Sequence, residues 1–209
     1  MAIKLPIDDV LPDILAALQS HSSAVVVAPP GAGKTTRIAP ALLDQPWCKG
    51  QIYLLSPRRL SARAAAERIA DECGEKLGGL IGYATRMDSR HSAQTRLLVM
   101  TPGLFRSRIL NDPELAKVSA VLFDEVHERS LDSDFALALA VDSQQGLRAD
   151  LRLIAMSATL DGARFGAMLG GVPIIESMGK SWPLDHRYLG RRAEERLEAA
   201  MLGAVRTAL

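Results

Sequence analysis

The 209-residue chain is long enough for one large domain, or one domain with part of a second, and a 48% hydrophobic share supplies its core. A formal net charge of +1 excludes a global basic field, so affinity for nucleic acid must come from local patches; aromatics at 4% leave little for base stacking. Cys48 and Cys73 have neither metal-ligand nor C-x-x-C spacing and read as packed thiols of a reducing compartment. The start, MAIKLPIDDVLPDIL, carries acids and lacks the apolar segment of a secretion signal. No stretch approaches a membrane span, so the expected location is cytoplasmic, with no membrane partner.

In chain order, a helix is expected over Val10–Ser20, then a strand over Ala24–Ala28, a turn, and a helix over Lys34–Leu43. Strand, turn and helix in that order are the setting of a phosphate-binding loop, here formed by Ala28, Pro29, Pro30, Gly31, Ala32, Gly33, Lys34, Thr35 and Thr36. Backbone amides from Gly31 to Thr35 converge on phosphates at a positive helix end. Lys34 reaches the β- and γ-phosphates, and the Thr35 hydroxyl ligates Mg²⁺. Gly31 and Gly33 leave room for phosphate and accept positive φ, while Pro29 and Pro30 stiffen the lead-in. Ala28 stands where the pattern G-x-x-x-x-G-K-[ST] has its first glycine. It ends the strand ahead of the cradle, where a methyl group fits. A turn that only closed a strand onto a helix would leave the Gly-Lys-Thr run unexplained.

Next come a strand over Ile52–Ser56 and a helix over Arg58–Cys73. The charges of that helix oppose its dipole, with Arg58 and Arg59 in the first turn, after Ser56 and Pro57 as cap and first position, and Asp71 and Glu72 at the end. Cations at a positive terminus cost roughly 0.3–1 kcal/mol each at low salt. A bound sugar–phosphate backbone accounts for the arrangement; a merely solvated face does not. The strand Leu97–Thr101 leads through Thr101, Pro102 and Gly103 into a helix over Leu104–Leu110. Arg86, Arg90, His91, Arg96, Arg106 and Arg108 make this region a second basic cluster able to meet phosphates.

The strand Ala120–Asp124 ends in two acids, Asp124 and Glu125. Neighbouring residues diverge in direction, so the first can hold Mg²⁺ while the second orients and deprotonates an attacking water. His127 alone reads as a satisfied surface or core histidine. Asp132 and Asp134 read as N-terminal charges of a helix over Ser133–Gln144. A strand over Leu151–Ser157 ends in Ser157, Ala158 and Thr159, whose hydroxyls can bridge the nucleotide site to a moving part. A helix over Ala163–Leu169 and a strand over Pro173–Glu176 follow. SMGKSWPLDHRYLG reads as a linker and a strand, and the closing helix carries an apolar stripe of Leu197, Met201, Val205 and Leu209. The partner of that stripe is expected in sequence beyond this chain.

Unbroken apolar runs alternating with helices give an α/β fold, a mostly parallel sheet sandwiched by helices, with ligands at the carboxyl ends of the strands. In order, A-x-x-G-x-G-K-T, P-R-R-L, T-P-G, D-E-V-H-E-R-S and S-A-T resemble the first RecA-like domain of the DEAH-box helicases of superfamily 2, over nearly the whole chain. The resemblance implies a RecA-like P-loop NTPase domain over residues 1–178, with residues 179–209 as linker and start of a second RecA-like domain. It implies ATP or another nucleoside triphosphate with Mg²⁺, held by Thr35 and Asp124, and a catalytic set of Lys34, Asp124, Glu125 and His127. It further implies adenine stacking by Arg68, coupling through Ser157, Ala158 and Thr159, and a single strand tracked by Arg58, Arg59, Thr101, Pro102 and Gly103. RNA is favoured over DNA by the resemblance; the residues themselves do not choose, and on their own they leave Arg68 an exposed arginine paired with Asp71 or Glu72.

D-E-V-H departs from D-E-A-H at an apolar position that leaves the chemistry intact. The motifs of the second RecA-like domain, which supplies arginines to the family's ATPase site, are absent from this chain. It is therefore expected to bind nucleotide and Mg²⁺, hydrolyse slowly and not unwind. Two other readings compete. A P-loop ATPase acting on protein would need no dipole-opposing helix start. A nucleic-acid-binding module with a vestigial nucleotide site would not need Lys34, Thr35, Asp124 and Glu125 intact.

Overall fold

The computed structural model describes residues 4–159, 165–167, 169–179, 185–190 and 194–208. Its centre is an eight-stranded sheet of β1 (Ser23–Val27), β2 (Gln51–Leu55), β3 (Ile81–Ala84), β4 (Ser89–Arg90), β5 (Leu97–Met100), β6 (Val118–Phe123), β7 (Arg152–Ser157) and β8 (Ile174–Glu176). The strands lie in the order β4-β3-β5-β2-β6-β7-β1-β8. Every pair is parallel except β3 with β4.

Alternate residues of each strand serve opposite layers. Ala24, Val26, Ile52 and Leu54 pack with α1 (Leu11–Ser20), α2 (Lys34–Leu42) and α3 (Arg59–Cys73). Val25, Val27, Tyr53 and Leu55 pack with α4 (Pro102–Asn111) and α5 (Leu131–Gly146) on the other face. Both faces are covered, which is why the strands read as unbroken apolar runs. Phe105 of α4 is fully buried, with edge-on contacts to Tyr53 and Phe123 at centroid distances of 6.3 and 6.2 Å. It fixes the helix whose first turn carries Pro102 and Gly103.

Several sequence expectations change. The β3–β4 hairpin was not foreseen, because Gly82 and a charged flank mask it; a Cβ on Gly82 would lie 2.6 Å from the Arg90 carbonyl, a close approach that requires glycine. Helix α3 is capped by Arg58, with Ser56 buried as a continuation of β2, its amide bonded to the Met100 carbonyl. Helix α5 starts at Leu131 because the Ser130 hydroxyl caps the Ser133 amide. Of the helix expected over 163–169, residues 165–167 are helical, and residues 163, 164 and 168 lie outside the described residues.

By internal contacts the chain divides into two units, Met1–Gly179 and Lys180–Leu209. In the second, residues 185–190 form no strand, so the strand expected after the linker is not found among the described residues. Helix α6 (Leu197–Ala208) leaves Leu197, Met201 and Val205 exposed; Leu209 lies outside the described residues. No helix of the described residues is long and apolar enough to cross a membrane.

Phe105→Ala is expected to cost about 3–5 kcal/mol of stability. Chemical denaturation measures it, and a loss under about 1 kcal/mol would mean that α4 is held chiefly by other contacts.

Candidate nucleotide site and nucleic-acid cleft

Parallel strands aim their carboxyl ends, and the loops that follow, toward one edge of the sheet. Ala28 follows β1, Ser56 follows β2, Thr101 follows β5, Asp124 follows β6, and Ser157 ends β7. The ladder continues into these loops: the Ala28 amide donates to the Ser157 carbonyl at 3.0 Å, and that of Asp124 to the Leu55 carbonyl at 2.9 Å. Motifs far apart in sequence thereby share one surface.

Within the phosphate loop, Gly31 and Gly33 have φ of 77° and 97°. Their needs differ. A Cβ on Gly31 would meet nothing within 4 Å, so that face is open, whereas one on Gly33 would lie 2.7 Å from Leu5 Cδ1. An N-terminal strap over the loop creates this second constraint. The Ile7 amide donates to the Ala32 carbonyl at 3.0 Å, and the Ser177 hydroxyl donates to the Pro6 carbonyl at 3.0 Å.

Lys34 is buried, and its Nζ donates to the carbonyls of Ala28 (2.6 Å) and Pro29 (3.2 Å). Burial lowers its pKa, against the pull of Glu125 and Asp124. Ala28 therefore serves through its carbonyl, which any residue could supply. The Thr35 hydroxyl donates to Asp124 Oδ2 at 2.7 Å, joining the start of α2 to the end of β6. Asp124 is 6% exposed, and burial pushes its carboxyl up to about 6, opposed by the Thr35 bond and Lys34 and assisted by Glu125.

Glu125 sits in the left-handed region at φ 52°, and Arg129 at 51°, on either side of a 3-10 turn over Val126–Glu128. Such a backbone in a non-glycine residue stores of order 1–3 kcal/mol. Among the described residues Glu125 Oε2 is buried without a hydrogen bond, although His127 Nδ1 lies 3.3 Å away. The same nitrogen is engaged by the Ala158 amide, which donates to Nδ1 at 3.3 Å. His127 thus ties the acidic loop to Ser157–Thr159, where the Thr159 amide donates to the Ser157 hydroxyl at 3.2 Å.

Two adjoining cavities of about 270 and 490 Å³ share Thr35, Thr36, Arg68 and Glu125. Arg68 is paired with Glu72 at 2.9 Å and also lines both cavities. Leu5 lines the smaller cavity, a wall that sequence reasoning missed. These groups fit a Mg²⁺-nucleoside triphosphate: an open glycine face, an ammonium resting on loop carbonyls, a hydroxyl–carboxylate pair able to serve one ion, and a buried carboxylate oxygen lacking a partner.

A separate cleft of about 770 Å³ is lined by Arg59, Arg86, Arg106, Asp132 and the turn Thr101–Gly103. Arg58 is not in it. It turns toward the acidic loop, 3.1 Å from Glu128, and lines the larger nucleotide cavity. The expected basic cluster is also divided by packing. Arg96 donates to the Cys48 carbonyl at 2.6 Å, and Arg108 lies over the Tyr53 ring, while Arg86 and Arg106 reach the cleft.

Three comparisons bear on the site. The DEAD/DEAH box helicase family model matches residues 9–165. The ATP-dependent RNA helicase HrpB of Escherichia coli is 47% identical over 204 residues, covering 98% of this chain and 25% of HrpB. An ATP-dependent RNA helicase HrpA homolog of Haemophilus influenzae is 38% identical over 185 residues, covering 88% of this chain and 14% of that protein. The chain thus spans about a quarter or less of the length of these relatives. A crystal structure of the Escherichia coli DEAH/RHA helicase HrpB superposes with a TM-score of 0.92 at 45% identity, over 98% of this chain and 26% of that one.

A carboxyl raised from 3.8 to about 6 costs the folded state on the order of 2–3 kcal/mol when ionised. The cost is absent below pH 3.8 and develops as pH rises through about 6. Asp124→Asn is therefore expected to melt above the parent at pH 8, by the equivalent of about 1–3 kcal/mol, with the gap closing toward pH 4. Thermal melts of nucleotide-free protein at both pH values check this; equal melting temperatures at pH 8 would contradict it.

Proposed function

Because this chain belongs to the DEAD/DEAH box helicase family and has its RecA-like α/β fold, we propose that it is the nucleotide-binding half of an ATP-dependent helicase that moves along single-stranded nucleic acid, RNA in preference to DNA. The carrying observation is the convergence of Lys34, the Thr35–Asp124 pair and a Glu125 oxygen without a hydrogen bond among the described residues on two adjoining cavities that share Thr35 and Glu125. The relatives' names support ATP as the nucleotide and RNA as the track.

In this reading the loop amides of Gly31 to Thr35 bind the phosphates, and Lys34 exchanges its two carbonyl partners for phosphate oxygens. Thr35 and Asp124 would hold Mg²⁺, which would supply charge neutralisation on the phosphates. Glu125 orients the attacking water and takes its proton on the oxygen that lacks a partner. His127 links that loop to Ser157–Thr159 and so to whatever moves. Arg68 covers the base by stacking its guanidinium. Residues 1–178 form the first RecA-like domain; residues 179–209 are the linker and the start of the second. Arginines from that second domain would complete the site, and a missing charge-stabilising arginine is worth on the order of 10³–10⁵ in rate. The 209-residue chain alone therefore binds nucleotide, turns it over slowly and does not unwind. A cytoplasmic location belongs to the same reading.

Two variants test the nucleotide site. Lys34→Ala should lose affinity for a fluorescent ATP analogue, while Glu125→Gln should keep affinity and lose turnover. Undiminished binding by the lysine variant would remove the phosphate-loop assignment. A second test separates the neighbouring arginines. Arg59→Glu should weaken single-strand binding and lower its salt slope, whereas Arg58→Glu should act mainly on nucleotide binding. Equal losses of single-strand affinity would return Arg58 to the track.

A further inference from the structure

The cleft between α3 and α5 has an unusual balance of hydrogen-bonding groups. Arg59, Arg86 and Arg106 carry only donors, Thr101, Ser107 and Ser130 add hydroxyls, and the first turn of α4 leaves the Gly103 amide, since Pro102 has no N–H and the Leu104 and Phe105 amides donate to the Thr101 carbonyl. Such a lining suits phosphate oxygens and is indifferent to the sugar. Asp132 breaks the pattern. Its Oδ1 accepts from Arg106 Nη1 at 2.8 Å. Its Oδ2 has no hydrogen bond among the described residues, on a side chain that is 56% exposed, and lies 3.6 Å from where a Cβ on Gly103 would stand.

Phosphate binding alone disfavours a carboxylate here. It repels the ligand and occupies an arginine that could serve it. Support for the α5 dipole is a modest reason for an acid in that first turn. Asp134 supplies the same support from outside the cleft lining, held by Arg129 at 2.9 Å. A free carboxylate oxygen in a donor-lined cleft is matched by a ligand donor. A deoxyribose–phosphate backbone has none, and a ribose–phosphate backbone has one per residue, the 2′-hydroxyl.

We propose that Asp132 Oδ2 accepts the 2′-hydroxyl of a ribose lying in this cleft, making Asp132 the residue by which the domain selects RNA over DNA. The inference rests on the cleft being the nucleic-acid track. Arg106 fixes the carboxylate's direction, so that one oxygen is committed and the other is presented. Discrimination is then by sugar, independent of base, in keeping with a motor that must pass over any sequence.

The test is fluorescence anisotropy of the 209-residue chain with oligouridylate, oligodeoxyuridylate and 2′-O-methyl-oligouridylate of one length at one salt concentration. The methylated strand keeps an RNA-like sugar pucker but has no 2′ proton, so it separates the hydrogen bond from sugar shape. The parent is expected to bind RNA about tenfold more tightly than DNA, the increment of one hydrogen bond to a charged group. The methylated strand should bind like DNA. Asp132→Ala should erase the RNA-to-DNA ratio, and its DNA affinity should hold or rise because a negative charge has gone. Equal binding of RNA and DNA by the parent, RNA-like binding of the methylated strand, or an unchanged ratio in Asp132→Ala would each overturn the assignment and leave the cleft as a track. Absence of binding to all three strands would overturn the track reading and the assignment together.

Discussion

One hydrogen bond, from the Thr35 hydroxyl to the buried Asp124 carboxylate, joins the two halves of the candidate nucleotide pocket. Asp124 lies where β6 leaves the sheet, and Thr35 lies in the first turn of the helix after the phosphate loop. Neither is stable in isolation: the carboxylate loses solvation by burial, and the helix start lacks a side-chain cap. The Thr35 hydroxyl replaces part of the solvation that the carboxylate has lost. Lys34, buried close by, turns to the loop's own carbonyls, which keeps three polar groups satisfied in a place where water is scarce. Such an arrangement holds stability below what an apolar core would give, as expected where binding energy is to be recovered from a ligand.

Around that bond the acidic loop is arranged as a lever. Its turn lies between two left-handed residues, with Arg58 gripping Glu128 on one side and the Ala158 amide gripping His127 on the other. The loop therefore meets the nucleotide pocket through Glu125, the start of α3 through Glu128 and the end of β7 through His127. This three-way attachment gives a physical route by which events at one strand end reach another, consisting of a few contacts that can be exchanged. Arg58 and Arg59 divide the start of α3 between the cavity beside Thr35 and Asp124 and the cleft that Arg86 and Arg106 also line.

What was legible in the sequence was contiguous. Gly31 to Thr35 and Asp124–Glu125 carry their geometry within a few residues, because a strand, a turn and a helix dictate it locally. Contributions arriving from afar were hidden. Leu5 reaches Gly33 only through the strap, and Glu128 meets Arg58 only because β2 and β6 are neighbours. Arg58 is the extended residue before α3 and Arg59 its first helical one, so a pair of arginines read as one patch lines two cavities. Charge counting failed for Arg96 and Arg108 for a related reason: a guanidinium can cap carbonyls or cover a ring as readily as it meets phosphate. Gly82 and the short β4 gave no periodic signal, and their pairing depends on a backbone approach that only the assembled sheet defines.

The strap has a consequence for how the pocket responds to change at a distance. Leu5 rests on Gly33, Ile7 is bonded to Ala32, and Pro6 is bonded to Ser177 just past β8. The phosphate loop is thus clasped from outside by a segment that no nucleotide motif includes. Any extension or trimming ahead of Leu5 that pried this clasp open would reach the glycine turn through backbone slack, loosening its shape while every recognised signature residue remained in place.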